Sequence, residues 1–193
     1  MVTSRPDRLP PLAPENMTDA QRQARDELVR GPRGALFGPF VAMLRSPEFM
    51  GRAQRLGEYL RYHSALPEKL RELAILVTAR HFRQGYEWHV HASEAAAAGL
   101  GATVIAALGV GQRPRGLDAA EAVIYEFCTQ LHAYHEVADA TYAAALALLG
   151  EKGVVDLCGV CGYYSMLALI MNVAGTALPA GAAPPPWNAD SAD

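Results

Sequence analysis

The sequence predicts an all-α fold, and three observations carry that reading. Apolar residues recur at helical spacing over most of the chain, residues suited to capping helix starts precede those stretches, and Gly or Pro separates them. The expected organisation is one all-helical domain over residues 17–178. It is flanked by an extended N-terminal arm (1–16) and a Pro-rich, extended C-terminal tail (179–193).

The elements follow in order. Thr18 is placed to cap a helix over 19–30, which Gly31-Pro32 stops. Residues 31–39 read as a loop, broken by Pro and Gly around Phe37. Phe49, Ala53, Leu56 and Leu60 give helical spacing over 48–63. Pro67 then opens an amphipathic helix through Leu70, Leu73, Ala74 and Val77, spaced i, i+3, i+4, i+7. Arg83-Gln84-Gly85 interrupts it, and a further helix spans about 86–98, ended by Gly99. Residues 103–108 have a β-branched start, but their neighbours favour a helix turn. Asp118 with Glu121 is an Asp variant of a capping box, opening a helix to about His132. Asp139 opens another, closed by Gly150, and a long apolar helix comes last.

Composition excludes several classes. A 193-residue chain with 51% hydrophobic and 19% charged residues can bury a core and is neither disordered nor collagen-like. A net charge of -3 with no basic block argues against a nucleic-acid or anionic-membrane partner. Residues 157–178 carry no formal charge and are long enough to span a bilayer. They include Gly159, Gly162, Ser165, Asn172 and Gly175, however, and a polar Asn172 is costly in lipid. A buried central helix of a soluble protein is the expectation, and a homo-oligomer is the natural way to cover it. With no apolar signal segment at the start, the expected location is cytoplasmic.

The chemistry concentrates in two neighbouring stretches, from Arg71-Glu72-Leu73 to Arg80-His81, then Tyr86-Glu87-Trp88-His89-Val90-His91. Glu72 interrupts the apolar side of its helix. Glu87 and His91 stand four apart, so on a helix they share a face, whereas His89 points elsewhere. A carboxylate beside an imidazole fixes its tautomer and raises its basicity, as general acid–base catalysis requires. A solvated surface pair is the plainer alternative for the same spacing.

These residues, with Ala95 and Gly99-Leu100, resemble the carboxymuconolactone decarboxylase family, part of the alkylhydroperoxidase D-like superfamily. Further points of likeness are Gly38-Pro39-Phe40, Arg45-Ser46-Pro47, Gly57-Glu58-Tyr59-Leu60-Arg61, Gly162-Tyr163-Tyr164 and Asn172. The resemblance implies an alkylhydroperoxidase D-like helical bundle that assembles as a trimer or hexamer. The thiol-peroxidase branch carries a C-x-x-C whose positions fall at Gln84 and Glu87, so that route is closed here. The chain sides with the decarboxylase branch. The implied catalytic set is His91 as acid–base group, Glu87 orienting it, and Glu72 sharing the proton or positioning the ring. Arg80, Arg71, Trp88 and Tyr86 are candidates to bind a small carboxylated lactone or related acid, with no metal and no organic cofactor.

Two alternatives stand beside that reading. One is a peroxidase using Cys158 and Cys161; the other is a non-catalytic binding or assembly member of the family. Cys158-Gly159-Val160-Cys161 lies inside the apolar helix rather than at a helix start, so buried, inert thiols are expected. A zinc site joining the pair to His132 and His135 has the right ligand types but the wrong local setting.

Overall fold

The computed structural model describes residues 6–191. Among them are eight α-helices and no strand. The helices are α1 (Asp19–Arg30), α2 (Pro39–Met43), α3 (Pro47–Tyr62), α4 (Glu68–His81), α5 (Gly85–Ala97), α6 (Ala102–Gly109), α7 (Ala119–Tyr134) and α8 (Asp139–Ala174). The expected capping box of Asp118 with Glu121 is formed on α7, and Thr18 caps α1 as expected, in a box that Gln21 completes. The loop expected over 31–39 ends one residue early, because Pro39 sits in the first turn of α2. Residues 103–108 belong to α6, as their neighbours suggested.

The chain divides into two compact units. The first holds the described residues up to His63 together with Met166–Ala177. Its core includes Leu28, Phe40, Leu44, Met50, Leu60 and Met171, all essentially inaccessible. The described part of the N-terminal arm is extended only as far as a 3₁₀ turn at Pro14–Asn16, which the sequence reading did not expect, and it is tied down within this unit. Arg8 donates from its backbone N to Ala174 O (2.7 Å) and from Nη1 to Val173 O (3.0 Å). A cation thereby meets the terminal carbonyls of α8. Arg45 also donates to the carbonyls of Leu9 (3.2 Å) and Val41 (2.8 Å).

The second unit holds Ser64–Ser165 and the described residues from Leu178 onward. Helix α4 is its centre and packs against α5, α6 and α7. The expectation of a one-sided amphipathic helix is corrected here: every residue from Leu70 to Ala79 is buried. Three polar residues in that run, Arg71, Glu72 and Thr78, hid the all-round burial because they break the apolar pattern.

The long last helix is corrected in the opposite sense. The segment from Asp139 forms one helical run to Ala174, broken at Gly150, whose φ of 68° and ψ of 174° suit only glycine comfortably. The run is long and apolar enough to cross a membrane, with 56% of its most apolar window buried inside the protein. It is not buried on every side: Val155 is 70% exposed, Leu169 52% and Val173 66%.

The tail also departs from expectation. It is extended through its prolines, then forms a 3₁₀ turn at Pro186–Ser191 and docks on the second unit. Trp187 is buried and meets Trp88 edge-to-face, with ring centroids 5.4 Å apart. Proline removes backbone donors but not the gain from burying an indole, and the aromatic pair adds about 0.5–1.5 kcal/mol beyond area.

Candidate active site at the α4–α5 junction

Glu72 lies one turn into α4, and Glu87 and His91 lie one turn apart on α5. The break between these helices is short because Gln84 caps α5, its side chain accepting from Tyr86 N at 2.6 Å. The antiparallel return brings the two helices into extensive contact and sets Glu72 against His91. His91 Nδ1 is 2.6 Å from Glu72 Oε2, and His91 Nε2 is 3.2 Å from Glu87 Oε2. All three side chains are nearly inaccessible, at 3%, 1% and 6%. The solvated surface pair is therefore excluded. Tyr164 closes the site with its ring edge-on to His91, centroids 5.0 Å apart.

A fourth residue completes the cluster, one that the sequence reading passed over. Glu94 Oε2 lies 3.3 Å from His91 Nδ1. Its spacing, three after His91 and seven after Glu87, places all three on one helix face and was the available signal. Burial alone would lower the imidazole pKa. Its hydrogen bonds with Glu72 and Glu87, and the charge of both carboxylates, outweigh that and raise it to about 9. His91 is therefore an imidazolium at neutral pH.

Arg71 flanks the cluster: its Nε and Nη2 each lie 3.4 Å from Glu72 Oε1, and Nη2 lies 3.6 Å from Glu68. Glu72 thus bridges a guanidinium on one oxygen and an imidazole on the other. The other three substrate-binding candidates are placed differently. Arg80 is eight residues beyond Glu72 on the same helix, about 12 Å along its axis. It lies over the Trp187 ring, with its guanidinium against the Gly111 turn, where any Cβ would collide with it. Trp88 is buried against Trp187 rather than turned to the cluster, and Tyr86 is half-buried at the start of α5.

Glu72, His91 and Glu94 offer donor atoms all within 4.8 Å of one another, the one such trio of metal-binding type among the described residues. Two carboxylates and an imidazole suit a hard or borderline divalent cation. Cys158, Cys161, His132 and His135 form no comparable set among the described residues. The expectation of inert, buried cysteines fails for Cys158, which is exposed. Cys161 is buried and faces Cys128, not Cys158, at an Sγ–Sγ distance of 3.6 Å.

Fold and site together define an all-helical domain whose one densely charged, buried feature is an imidazole held among carboxylates from two adjoining helices. Residues 47–127, from α3 to within α7, match the model of the carboxymuconolactone decarboxylase family, which supports membership of that family. No curated protein and no solved structure matches the chain.

Proposed function

We propose that the protein is a cofactor-independent lyase of the decarboxylase type, acting on a small carboxylated lactone or related acid. The observation that carries this reading is the buried His91 between Glu72 and Glu87, at a place where neither contact involves a sulfur. When a lactone acid loses CO2, the electrons left behind move towards the lactone carbonyl, and a proton must then reach carbon. An imidazolium with a pKa raised to about 9 is suited to both tasks, as an electrostatic partner and as the proton donor. Of its two nitrogens, Nε2 has the longer bond and is the one to exchange Glu87 for a reacting atom. Glu72, tight on Nδ1 and backed by Arg71, keeps the ring oriented. Arg71 is the nearest cation for a substrate carboxylate. With His91 2% exposed, substrate entry requires a local opening at Tyr164 or the start of α5.

The same burial favours one competing reading, in which the cluster is only a structural tie and the chain binds or assembles without catalysis. A screen of small lactone acids for CO2 release separates them. Turnover that survives thiol alkylation and is lost in His91→Gln and Glu87→Gln supports the lyase. Turnover unchanged in those variants overturns the assignment, and no turnover of any lactone acid favours the structural tie.

The family resemblance and the exposed Val155, Leu169 and Val173 of α8 support a homo-oligomer, which sedimentation as a monomer would overturn. The three free cysteines suit a reducing, cytoplasmic setting.

A further inference from the structure

Outside the imidazole cluster, the second unit holds a separate group of reactive side chains between α4, α7 and α8. Cys128 of α7 and Cys161 of α8 are 0% and 1% exposed, and their sulfurs stand 3.6 Å apart, close enough to be joined after a small inward movement. Beside them, Thr78 Oγ1 of α4 donates to Ala74 O at 2.8 Å and lies 2.8 Å from His132 Nε2. Which of the two donates follows the imidazole tautomer, and both Thr78 and His132 also hydrogen-bond the Cys161 thiol. His132 in turn stacks on His81, centroids 4.9 Å apart.

This group is not sealed from outside. His132 lines a cavity of about 370 Å³ together with Val77, Arg80, His81, Thr129 and Ala133. Neither sulfur lines it: His132 is the side chain that joins the group to the cavity, and Cys161 is reached from it by a local opening. A small hydroperoxide has ample room there.

We propose that Cys161 and Cys128 are a peroxide-reactive dithiol, with Cys161 the nucleophile, Cys128 the resolving thiol and His132 the acid–base group. The steps balance without a further component. His132 takes the Cys161 proton, and the thiolate attacks the outer oxygen of a hydroperoxide. The O–O bond breaks, Cys161 becomes a sulfenic acid, and the imidazolium returns its proton to the departing alkoxide or hydroxide. The Cys128 thiol then attacks the Cys161 sulfur, water leaves, and an α7–α8 disulfide remains. A small dithiol reductant restores both thiols by exchange. The electrostatics favour this order of roles. The Cys161 thiol is held below its ordinary pKa by the Cys128 hydrogen bond first, then by His132 and Thr78, against the opposing effect of burial. Cys128 is raised well above its own value by the contact with Cys161 and by burial. Cys158, exposed and with its thiol pushed up by partial burial, serves as the internal control.

The test uses the full reduced chain. Hydrogen peroxide is added at neutral pH, remaining thiols are alkylated, and the digest is mapped without reduction. A cross-linked Cys128–Cys161 peptide with Cys158 alkylated is the expected result. Recovery of Cys128 and Cys161 both alkylated, or a disulfide containing Cys158, overturns the proposal. This mapping on the unaltered chain does not depend on any variant folding. Peroxide consumption with dithiothreitol should persist in Cys158→Ser and vanish in Cys161→Ser. In Cys128→Ser a dimedone adduct should accumulate on Cys161. Consumption that survives Cys161→Ser in a chain of unchanged helicity refutes the assigned roles.

Discussion

Two polar groups draw on the buried run of α4, and they stabilise opposite charges. Glu72, backed by Glu87, holds a buried cation on His91. Six residues on, about 9 Å along the helix, Thr78 and His132 sit beside the Cys161 sulfur and favour its anion. The first group is more strongly charged, while the thiols of the second are buried at least as deeply. The second adjoins a cavity of about 370 Å³. A perturbed pKa in this protein therefore marks a place where charge is stabilised, while access to small molecules is governed separately by the packing around it.

The sharpest way to break the comparison is to remove the anion from the first group. Glu72→Ala strips His91 and Arg71 of their shared partner and should cost about 3–5 kcal/mol at neutral pH, the range for one member of a buried pair. Urea unfolding measures it. A loss below 1 kcal/mol would mean that the cluster is not a buried ion pair. The thiol group shares no partner with Glu72, so peroxide-driven cross-linking should persist in whatever fraction stays folded.

The pH dependence comes next in size, and its sign separates the two groups. His91 has a folded pKa of about 9 against an ordinary 6.5. Its contribution is complete below pH 6.5 and disappears as pH rises through 9, a loss of about 3 kcal/mol. Cys161 works the other way: its folded pKa is depressed, so its contribution grows as pH rises towards the ordinary thiol value. The decline in stability between pH 6.5 and 9 should accordingly steepen in Cys161→Ser and flatten in His91→Gln. A curve unaffected by His91→Gln would refute the raised pKa.

What could be read from the sequence divides along the same line. Asp118 with Glu121 and Glu87 with His91 are contacts within one turn, and spacing alone revealed them, as it did the Thr18 cap though not its Gln21 partner. Glu72 was reached through family resemblance, because nothing local shows that a residue nineteen positions before His91 returns to it. Glu94 had the right helical spacing and was overlooked. The Cys128–Cys161 contact joins two helices thirty-three residues apart, and the nearer C-x-x-C spelling drew attention to the wrong partner. Trp187 was hidden by its proline-rich surroundings, which suggest a solvated tail although one indole suffices to dock it.

A smaller effect sharpens the second group. Thr78→Val keeps shape but removes the hydroxyl that bonds His132, costing about 1–3 kcal/mol if His132 finds no other partner. The Cys161 thiol loses a favourable neighbour and should react more slowly with peroxide, while His91 titrates as before. Combined with Glu72→Ala, the two costs should add to within about 0.5 kcal/mol, since the sites share no partner.

The smallest effect distinguishes two ways of using the first group. Glu94 is the third carboxylate near His91 and the second at its Nδ1, at 3.3 Å, but Glu72 already occupies that nitrogen at 2.6 Å and the Glu94 side chain is 34% exposed. If a proton on His91 is what the cluster holds, Glu94 adds only a screened attraction. Glu94→Gln should then change stability by less than about 1 kcal/mol. An NMR titration should still find the His91 pKa above its ordinary value. If the cluster instead holds a divalent cation through Glu72, His91 and Glu94, neutralising one of three donors should abolish metal-dependent stabilisation, and the unaltered chain should melt higher with added metal. A melting temperature indifferent to divalent metals and to Glu94→Gln alike assigns the cluster to proton chemistry, the arrangement that the 2.6 Å Glu72–His91 contact favours.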